Sequence, residues 1–322
     1  MKPRYEPKTA FVERMAKLLK NKEDLHDFFE IAKTKPKKSI RVNTLKITPD
    51  ELKTKLEQKG WNISQPIPNH PEIIQIQTIL QPGELGKAKE HLLGYYYVQE
   101  ITSMMPIIGL QPNENDTLLD CCAAPGSKTT QAAALMNNKG IIIANDLNIG
   151  RIKILSANLE RQSITNTIVT RNDAVTLSQK LKKLNLKFNK ILVDAPCSGE
   201  GNIRVSPRTY LEWSEGLLKN LSRKQKRIAE SVLSILEIGG EMIYSTCTHS
   251  PEENELIVQY LLDNYNIEIL PTTIPIKSRP GITEWKGKKL SEKLKLAHRI
   301  YPHDNDMEGF FLCKIKKLGD KE

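Results

Sequence analysis

The sequence contains no Cys-x-x-Cys pair, and its cysteines are odd in number, five: Cys121, Cys122, Cys197, Cys247 and Cys313. Neither a zinc site nor a disulfide framework is therefore expected, and no metal enters the reading. Free thiols in a reducing compartment fit better, each of them a nucleophile or a small core residue. Long apolar runs are also missing; stretches such as Ile141 to Ala144 are too short to span a membrane. Met1 to Arg14 alternates polar and apolar residues without a charged-then-apolar leader, so a cytoplasmic protein is expected. Internal repeats and low-complexity tracts are absent. So is Gly-x-Gly-x-x-Gly, which makes a dinucleotide cradle less favoured. Gly126-Ser127-Lys128-Thr129 has Cys121 where a Walker loop needs a glycine.

What the chain has is positive charge, +10 with a pI near 9.2. Such an excess fits a nucleic-acid partner or a solvated lysine-rich surface. The 322 residues allow one or two domains. Residues 1–110 read as a small α+β unit. Thr9–Lys20 and Glu23–Lys33 are amphipathic helices, and Thr48-Pro49-Asp50-Glu51 is a capping-box helix start. Lys35, Lys37, Lys38 and Arg41 form a basic cluster leading into a strand, Ile40 to Thr44. The unit is either an RNA-contacting module or a structural appendage. Tyr95-Tyr96-Tyr97-Val98 reads as a strand whose tyrosines pack at the domain junction rather than stack on bases, before a helix from Gln99 to Ile108.

Residues 111–322 alternate strands and helices, which predicts a mostly parallel sheet with helices on both faces. The strands expected are 117–120, 141–145, 167–170, 190–194 and 241–245; helices fall near 127–136, 150–160, 174–184, 217–237 and 251–264. Gly309 to Lys314 would close the sheet as an antiparallel strand, after a basic, loop-rich insertion from Thr272 to Arg299 that holds Trp285.

Acids stand at or just after the ends of four successive strands: Asp120, Asp146, Asp173 and Asp194. One such acid is usually a helix cap, and Asp173 before Ala174 fits that; four on one sheet edge favour an adenosine-bearing ligand. Ala123 to Gly126 let that ligand approach the backbone, and the following helix points its amide-rich end at it. Asp146 follows Gly126 by 20 residues, an offset suited to a ribose hydroxyl pair. S-adenosylmethionine, which has no pyrophosphate to cradle, is the cofactor expected.

The run Ile191 to Gly201 passes from a buried strand to Asp194, then Pro196, Cys197, Gly199 and Gly201. Glu241 to Thr248 brings Cys247 to the end of what should be a neighbouring strand. Two thiols and an acid at adjacent strand tips should face one cleft.

On Asp120 to Thr130, Asp146, Asp173, Asp194-Ala195-Pro196-Cys197-Ser198-Gly199, Ser245-Thr246-Cys247-Thr248, Arg41-Val42-Asn43-Thr44 and Gly309-Phe310-Phe311, the chain resembles the Sun/Nop family of RNA (cytosine-5)-methyltransferases. The resemblance covers nearly the whole chain. It implies a Rossmann-like class I methyltransferase domain behind a small α+β domain. It also implies Cys247 as the nucleophile that adds to carbon 6 of cytosine, and Cys197 as the thiol that assists release. Asp194 would meet the cytosine edge near ring nitrogen 3 and flank the cofactor. The cofactor-binding set implied is Cys122, Ala123, Ala124, Pro125, Gly126, Ser127, Lys128, Asp146, Arg151, Asp173 and Asp194. Lys128 would lower a thiol pKa or bind cofactor. Arg208 and the run Arg223, Lys224, Lys226, Arg227 would bind phosphates or form a solvated face. His249 is given no role; a surface or capping histidine is at least as good a reading.

The expected partner is RNA, bound with the target base extruded. Transfer RNA is favoured because the chain is short for the family, with ribosomal RNA as the alternative, and the enzyme is expected to act as a monomer. Two readings from other classes stay open: a nicotinamide- or nucleotide-dependent enzyme, separable by cofactor titration, and a catalytically silent RNA-binding protein.

Overall fold

The computed structural model describes residues 5–320; Met1 to Arg4, where the expected leaderless stretch begins, lie outside the described residues. Short apolar runs build the main sheet. β5 (Thr117–Asp120), β6 (Ile141–Asp146), β7 (Thr167–Arg171), β8 (Phe188–Asp194) and β9 (Leu236–Thr246) are parallel, in the order β7-β6-β5-β8-β9. The last strand, β15 (Phe310–Lys317), pairs antiparallel with β9. Beyond it lie β10 (Ile267–Leu270), β14 (His298–Ile300) and β11 (Arg279–Pro280), all antiparallel, which complete a nine-stranded sheet.

Alternation along these strands fills both faces. Leu119, Val193, Tyr244 and Phe311 point to one layer; Leu118, Leu192, Ile243 and Leu312 point to the other. Helices 174–183, 215–233 and 255–264 cover the first layer; 105–110 and 127–135 cover the second. Cys313 is fully buried in the first layer, and burial raises its thiol pKa, so it is a core residue. The order of the strands reverses between β5 and β8, so connections leave the two strands in opposite directions and open a crevice at their carboxyl ends.

A second sheet lies before residue 99. It contains β2 (Ile63–Ser64), β3 (Ile73–Ile76), β1 (Lys38–Val42) and β4 (Tyr96–Val98), in that order and antiparallel. Its helix Pro49–Gln58 starts on the expected capping box, with Thr48 Oγ1 accepting from Glu51 N at 3.3 Å and Glu51 Oε2 from Thr48 N at 3.0 Å. Helices Thr9–Leu18 and Lys22–Ala32 bury their faces elsewhere. Phe11 packs edge-on against Tyr210 and Trp213, and Phe28 against His249.

Arg41 departs from the basic cluster that precedes it. Lys35, Lys37 and Lys38 are exposed, but Arg41 is buried and joins the two sheets. Its guanidinium donates to Ser127 O at 2.6 Å, to Thr130 Oγ1 at 2.8 Å and to Gln99 Oε1. Tyr97 lies under it, and Tyr96 is fully buried, so these tyrosines pack. Arg41→Met is expected to cost about 2–3 kcal/mol, because several buried acceptors lose a charged donor. Lys38→Met should change stability by less than about 0.5 kcal/mol. Urea unfolding of both variants checks this.

Other boundaries moved for local reasons. The helix expected to Glu237 ends at Leu233, because Leu236 already pairs with Phe188 in a long β9. The helix expected from Pro251 starts at Glu255; residues 251–254 are a turn pinned by Asn254, whose Nδ2 donates to Thr248 O at 2.9 Å. In the insertion, β12 (Glu284–Trp285) and β13 (Lys288–Lys289) form a hairpin, and Trp285 is buried under Arg14. Among the described residues no helix is long and apolar enough to cross a membrane.

Candidate active site

β8 and β9 lie side by side with Asp194 level with Ser245, so the loops that follow them share one edge. There Cys197 Sγ stands 3.2 Å from Cys247 Sγ. The Cys197 loop is held from several sides. Ala195 N donates to Ser245 O at 2.9 Å, Ser198 N to Glu253 Oε2 at 3.0 Å, and Gln225 Nε2 to Pro196 O at 2.9 Å. The contact with Cys247 and burial together raise the Cys197 thiol well above its ordinary range. A raised Cys197 thiol keeps its proton, so it is able to donate to the Cys247 sulfur. Asn202 Nδ2 gives Cys247 Sγ a second donor at 3.3 Å. Glu253, fully buried behind this loop, has a carboxyl pushed up to about 7, chiefly by burial.

Asp194 binds away from the sulfurs. Its Oδ2 accepts from Lys128 Nζ at 2.7 Å and its Oδ1 from Ser245 Oγ at 2.9 Å. Lys128 also donates to Ser103 Oγ at 3.0 Å and lies over the Phe310 ring. Its ammonium is thus committed to a carboxylate and a hydroxyl, and it contacts neither thiol; the expected effect on a thiol pKa has no direct contact to act through.

Two chambers open on this edge. The smaller, about 420 Å³, is lined by Cys122, Asp146, Asp173, Asp194, Cys197 and Cys247. The larger, about 540 Å³, runs from Lys37 and Lys38 past Ser103 and Lys128 to Asn202, Cys247 and Phe310. Asp194 and Cys247 line both, as do Cys122, Ala124 and Arg151. Ala123, Pro125, Ser127 and Lys128 line only the larger.

Gly126 lines neither chamber and serves the turn. Its φ is +102°, and a Cβ there would sit 2.8 Å from Leu155 Cδ1. Asp173 caps its helix, accepting from Val175 N at 3.1 Å and Thr176 N at 3.2 Å, while it lines the smaller chamber. Asp146 Oδ1 accepts from Asn148 N at 3.0 Å, and its buried Oδ2 is ion-paired with Arg151 Nη1 at 3.1 Å without hydrogen-bond geometry. A carboxylate at the end of β6 with acceptor capacity left on Oδ2 suits the hydroxyls of a ribose. Asp120 is buried against Thr129, and burial pushes its carboxyl up to about 7. Of the basic run on helix 215–233, Lys224 reaches the smaller chamber, Arg223 and Arg227 are exposed, and Lys226 lies on the Tyr260 ring. Exposed Arg208 pairs with Glu212.

His249 is neither a surface nor a capping residue. It is buried, stacked on Tyr301 at 4.8 Å, and lines neither chamber. Burial, then the nearby Arg299, pull its pKa down to about 3. The unfolded imidazole titrates near 6.5, so the folded state binds fewer protons. Its stabilising effect is full above about pH 6.5 and is lost as pH falls from there toward 3. At pH 5 the loss is about 2 kcal/mol. His249→Asn is expected to be less stable at pH 7 but to lack this component of the decline, as measured by urea unfolding between pH 5 and 8.

Parallel strands in the order found here, with one reversed strand beside β9 and a ligand edge at the switch point, define a class I methyltransferase. Within that class the chain belongs to the 16S rRNA methyltransferase RsmB/F family, whose model matches residues 107–316. The model for the N-terminal domain of 16S rRNA methyltransferase RsmF matches residues 8–101. S-adenosylmethionine is the family's cofactor.

The chain is 38% identical over 320 residues to ribosomal RNA small subunit methyltransferase F of Vibrio cholerae, covering 99% of this chain and 65% of that one. The counterpart from Shewanella woodyi is 35% identical over 316 residues, covering 97% of this chain and 64% of its own. The chain thus spans just under two thirds of these relatives' length. Among solved structures, a methyltransferase homolog from Pyrococcus horikoshii superposes with a TM-score of 0.80 at 33% identity, covering 97% of this chain and all of that one. NSun6 from Pyrococcus horikoshii, solved with SFG, gives 0.81 at 26% identity, covering 96% of this chain and 98% of that one.

Proposed function

We propose that this protein methylates carbon 5 of a cytosine in small-subunit ribosomal RNA through a covalent adduct at Cys247. The observation that carries this reading is the pair of sulfurs 3.2 Å apart at the rim where the two chambers meet. The smaller chamber would hold S-adenosylmethionine, with Asp146 at the ribose and Asp173 near the adenine; SFG, found with the Pyrococcus NSun6, is an analogue of that cofactor. When bound, the cofactor supplies an electrophilic methyl group. The larger chamber, with Lys37 and Lys38 at its mouth, would admit the extruded base.

Carbon 5 of cytosine is a weak nucleophile. Addition of the Cys247 thiolate to carbon 6 makes it enamine-like and reactive. Cys197 keeps its proton, so it hydrogen-bonds the departing Cys247 sulfur when the carbon 5 proton is removed. The ion pair of Lys128 with Asp194 fixes the carboxylate between the chambers. The adduct chemistry also disfavours a silent RNA-binding role, for which two facing thiols have no use.

Transfer RNA was the substrate favoured by chain length. The family model and the relatives name 16S and small-subunit ribosomal RNA, and ribosomal RNA is the substrate proposed here. A cytoplasmic site of action follows from that substrate. The test is methyl transfer from labelled S-adenosylmethionine to small-subunit RNA from cells lacking this gene, with transfer RNA from the same cells in parallel. Label in cytosine of the ribosomal RNA is expected; label in transfer RNA alone would refute the substrate.

A further inference from the structure

We propose that Glu308 is the acid that reads the target cytosine, pairing through its protonated carboxyl with ring nitrogen 3 and the amino group on carbon 4. The inference rests on the function proposed above and adds the group that activates the base. β15 is antiparallel to β9, so its first residues lie at the edge where the parallel strands end. Glu308 stands just before that strand and lines the larger chamber with Lys128, Asp194, Cys247 and Phe310.

Its backbone is pinned on both sides. Gly309 N donates to Gly201 O at 2.9 Å, and Arg204 Nη1 to Met307 O at 2.9 Å. The side chain is 4% exposed, its Oε1 is buried without a partner, and among the described residues nothing donates to either carboxyl oxygen.

The neighbouring carboxyl differs. Glu100 Oε2 accepts from Thr102 N at 2.6 Å, from Thr102 Oγ1 and from Ser103 N at 3.4 Å, and its Oε1 accepts from Glu308 N at 3.3 Å. The Glu100 charge opposes ionisation of Glu308, and donors favour the charged form of Glu100 alone, so the proton resides on Glu308. Burial and the Glu100 charge push Glu308 up to about 8 against the opposing charges of Arg204 and Lys38, in keeping with that assignment. Asp194 already accepts from Lys128 and Ser245, whereas Glu308 is uncommitted.

A protonated carboxyl matches the cytosine edge: its O–H donates to nitrogen 3, and its C=O accepts from the amino group. When the Cys247 sulfur bonds to carbon 6, the carbon 5–carbon 6 π pair shifts to form carbon 4–carbon 5. The carbon 4–nitrogen 3 π pair moves onto nitrogen 3, which takes the Glu308 proton. After methyl transfer the carbon 5 proton passes to water, its electron pair forms the carbon 5–carbon 6 double bond and expels the Cys247 thiolate, and nitrogen 3 gives its proton back to Glu308.

Glu308→Gln tests this directly. The amide keeps the shape, donates to nitrogen 3 and accepts from the amino group, but it cannot transfer a proton. With small-subunit RNA from cells lacking the gene, the single-turnover methylation rate should fall about 10²–10³-fold, while RNA binding stays within about threefold. S-adenosylhomocysteine affinity and Tm should be unchanged, and adduct formation in the Cys197→Ala background should slow by the same factor. Glu308→Leu should lose rate and RNA affinity together without a drop in Tm, since it removes a buried carboxyl that nothing satisfies. Glu308→Gln methylating within twofold of the unaltered protein would overturn the inference while leaving the proposed function intact. So would a loss of rate accompanied by an equal loss of S-adenosylhomocysteine binding or a fall in Tm, which would mark a structural role. Failure of the unaltered protein to label cytosine would instead refute the function on which the inference rests.

Discussion

Cys247→Ala is expected to abolish methyl transfer, by 10⁴-fold or more on the order seen when a covalent nucleophile is removed, while S-adenosylhomocysteine binds as before. The separation follows from the geometry. Cys247 lines both chambers, but the polar groups of the smaller one come from other residues: Asp146, Asp173 and the backbone around Cys122. The thiol is only half-buried, and the two contacts to its sulfur come from Cys197 and Asn202. Its loss therefore leaves no charged group stranded, and Tm should move by no more than a few degrees. Calorimetric titration with S-adenosylhomocysteine, run beside a methyl-transfer assay, reads both quantities. Normal methylation by this variant would remove the nucleophile assigned here.

Cys197→Ala should behave in the opposite sense: carbon 6 is attacked and the product is not released. The contact with Cys247 and burial keep the Cys197 thiol protonated, and its sulfur lies 3.2 Å from the one that must depart. Without that donor the leaving thiolate faces a partly closed loop with Asn202 as its remaining donor. A covalent protein–RNA species should accumulate after mixing with small-subunit RNA and S-adenosylmethionine, visible as a slower band on a denaturing gel. It should be absent from the variant that lacks both thiols. No slower band from Cys197→Ala, with methylation at the normal rate, would refute the release role.

Much of this arrangement was legible in the sequence because parallel strands report their carboxyl ends. An apolar run followed by Asp194 and Cys197, and another followed by Cys247, place both thiols at one edge once their strands are neighbours. The acids at the ends of β5, β6 and β8, with Asp173 shortly after β7, were legible by the same logic.

Glu308 was not. A reversed strand presents its beginning, not its end, to the site, and an acid before Gly309-Phe310-Phe311 carries no local sign of that edge. Arg41 escaped for another reason. It follows three exposed lysines, and only tertiary packing turns it inward to Ser127 and Thr130. His249 read as a surface or capping residue because the aromatic rings that enclose it come from Phe28 and Tyr301, both distant in sequence. The early end of the helix near Leu233 was hidden too, since β9 begins at Leu236 and runs through Gly239 and Gly240, residues with low strand preference.

Bisulfite sequencing of total RNA from cells with and without this gene tests the central claim most directly. The expected result is one cytosine in small-subunit ribosomal RNA that resists conversion when the gene is present and converts when it is deleted, with resistance restored by the unaltered gene and not by Cys247→Ala. Unchanged small-subunit ribosomal RNA on deletion, or restoration by Cys247→Ala, would contradict the account.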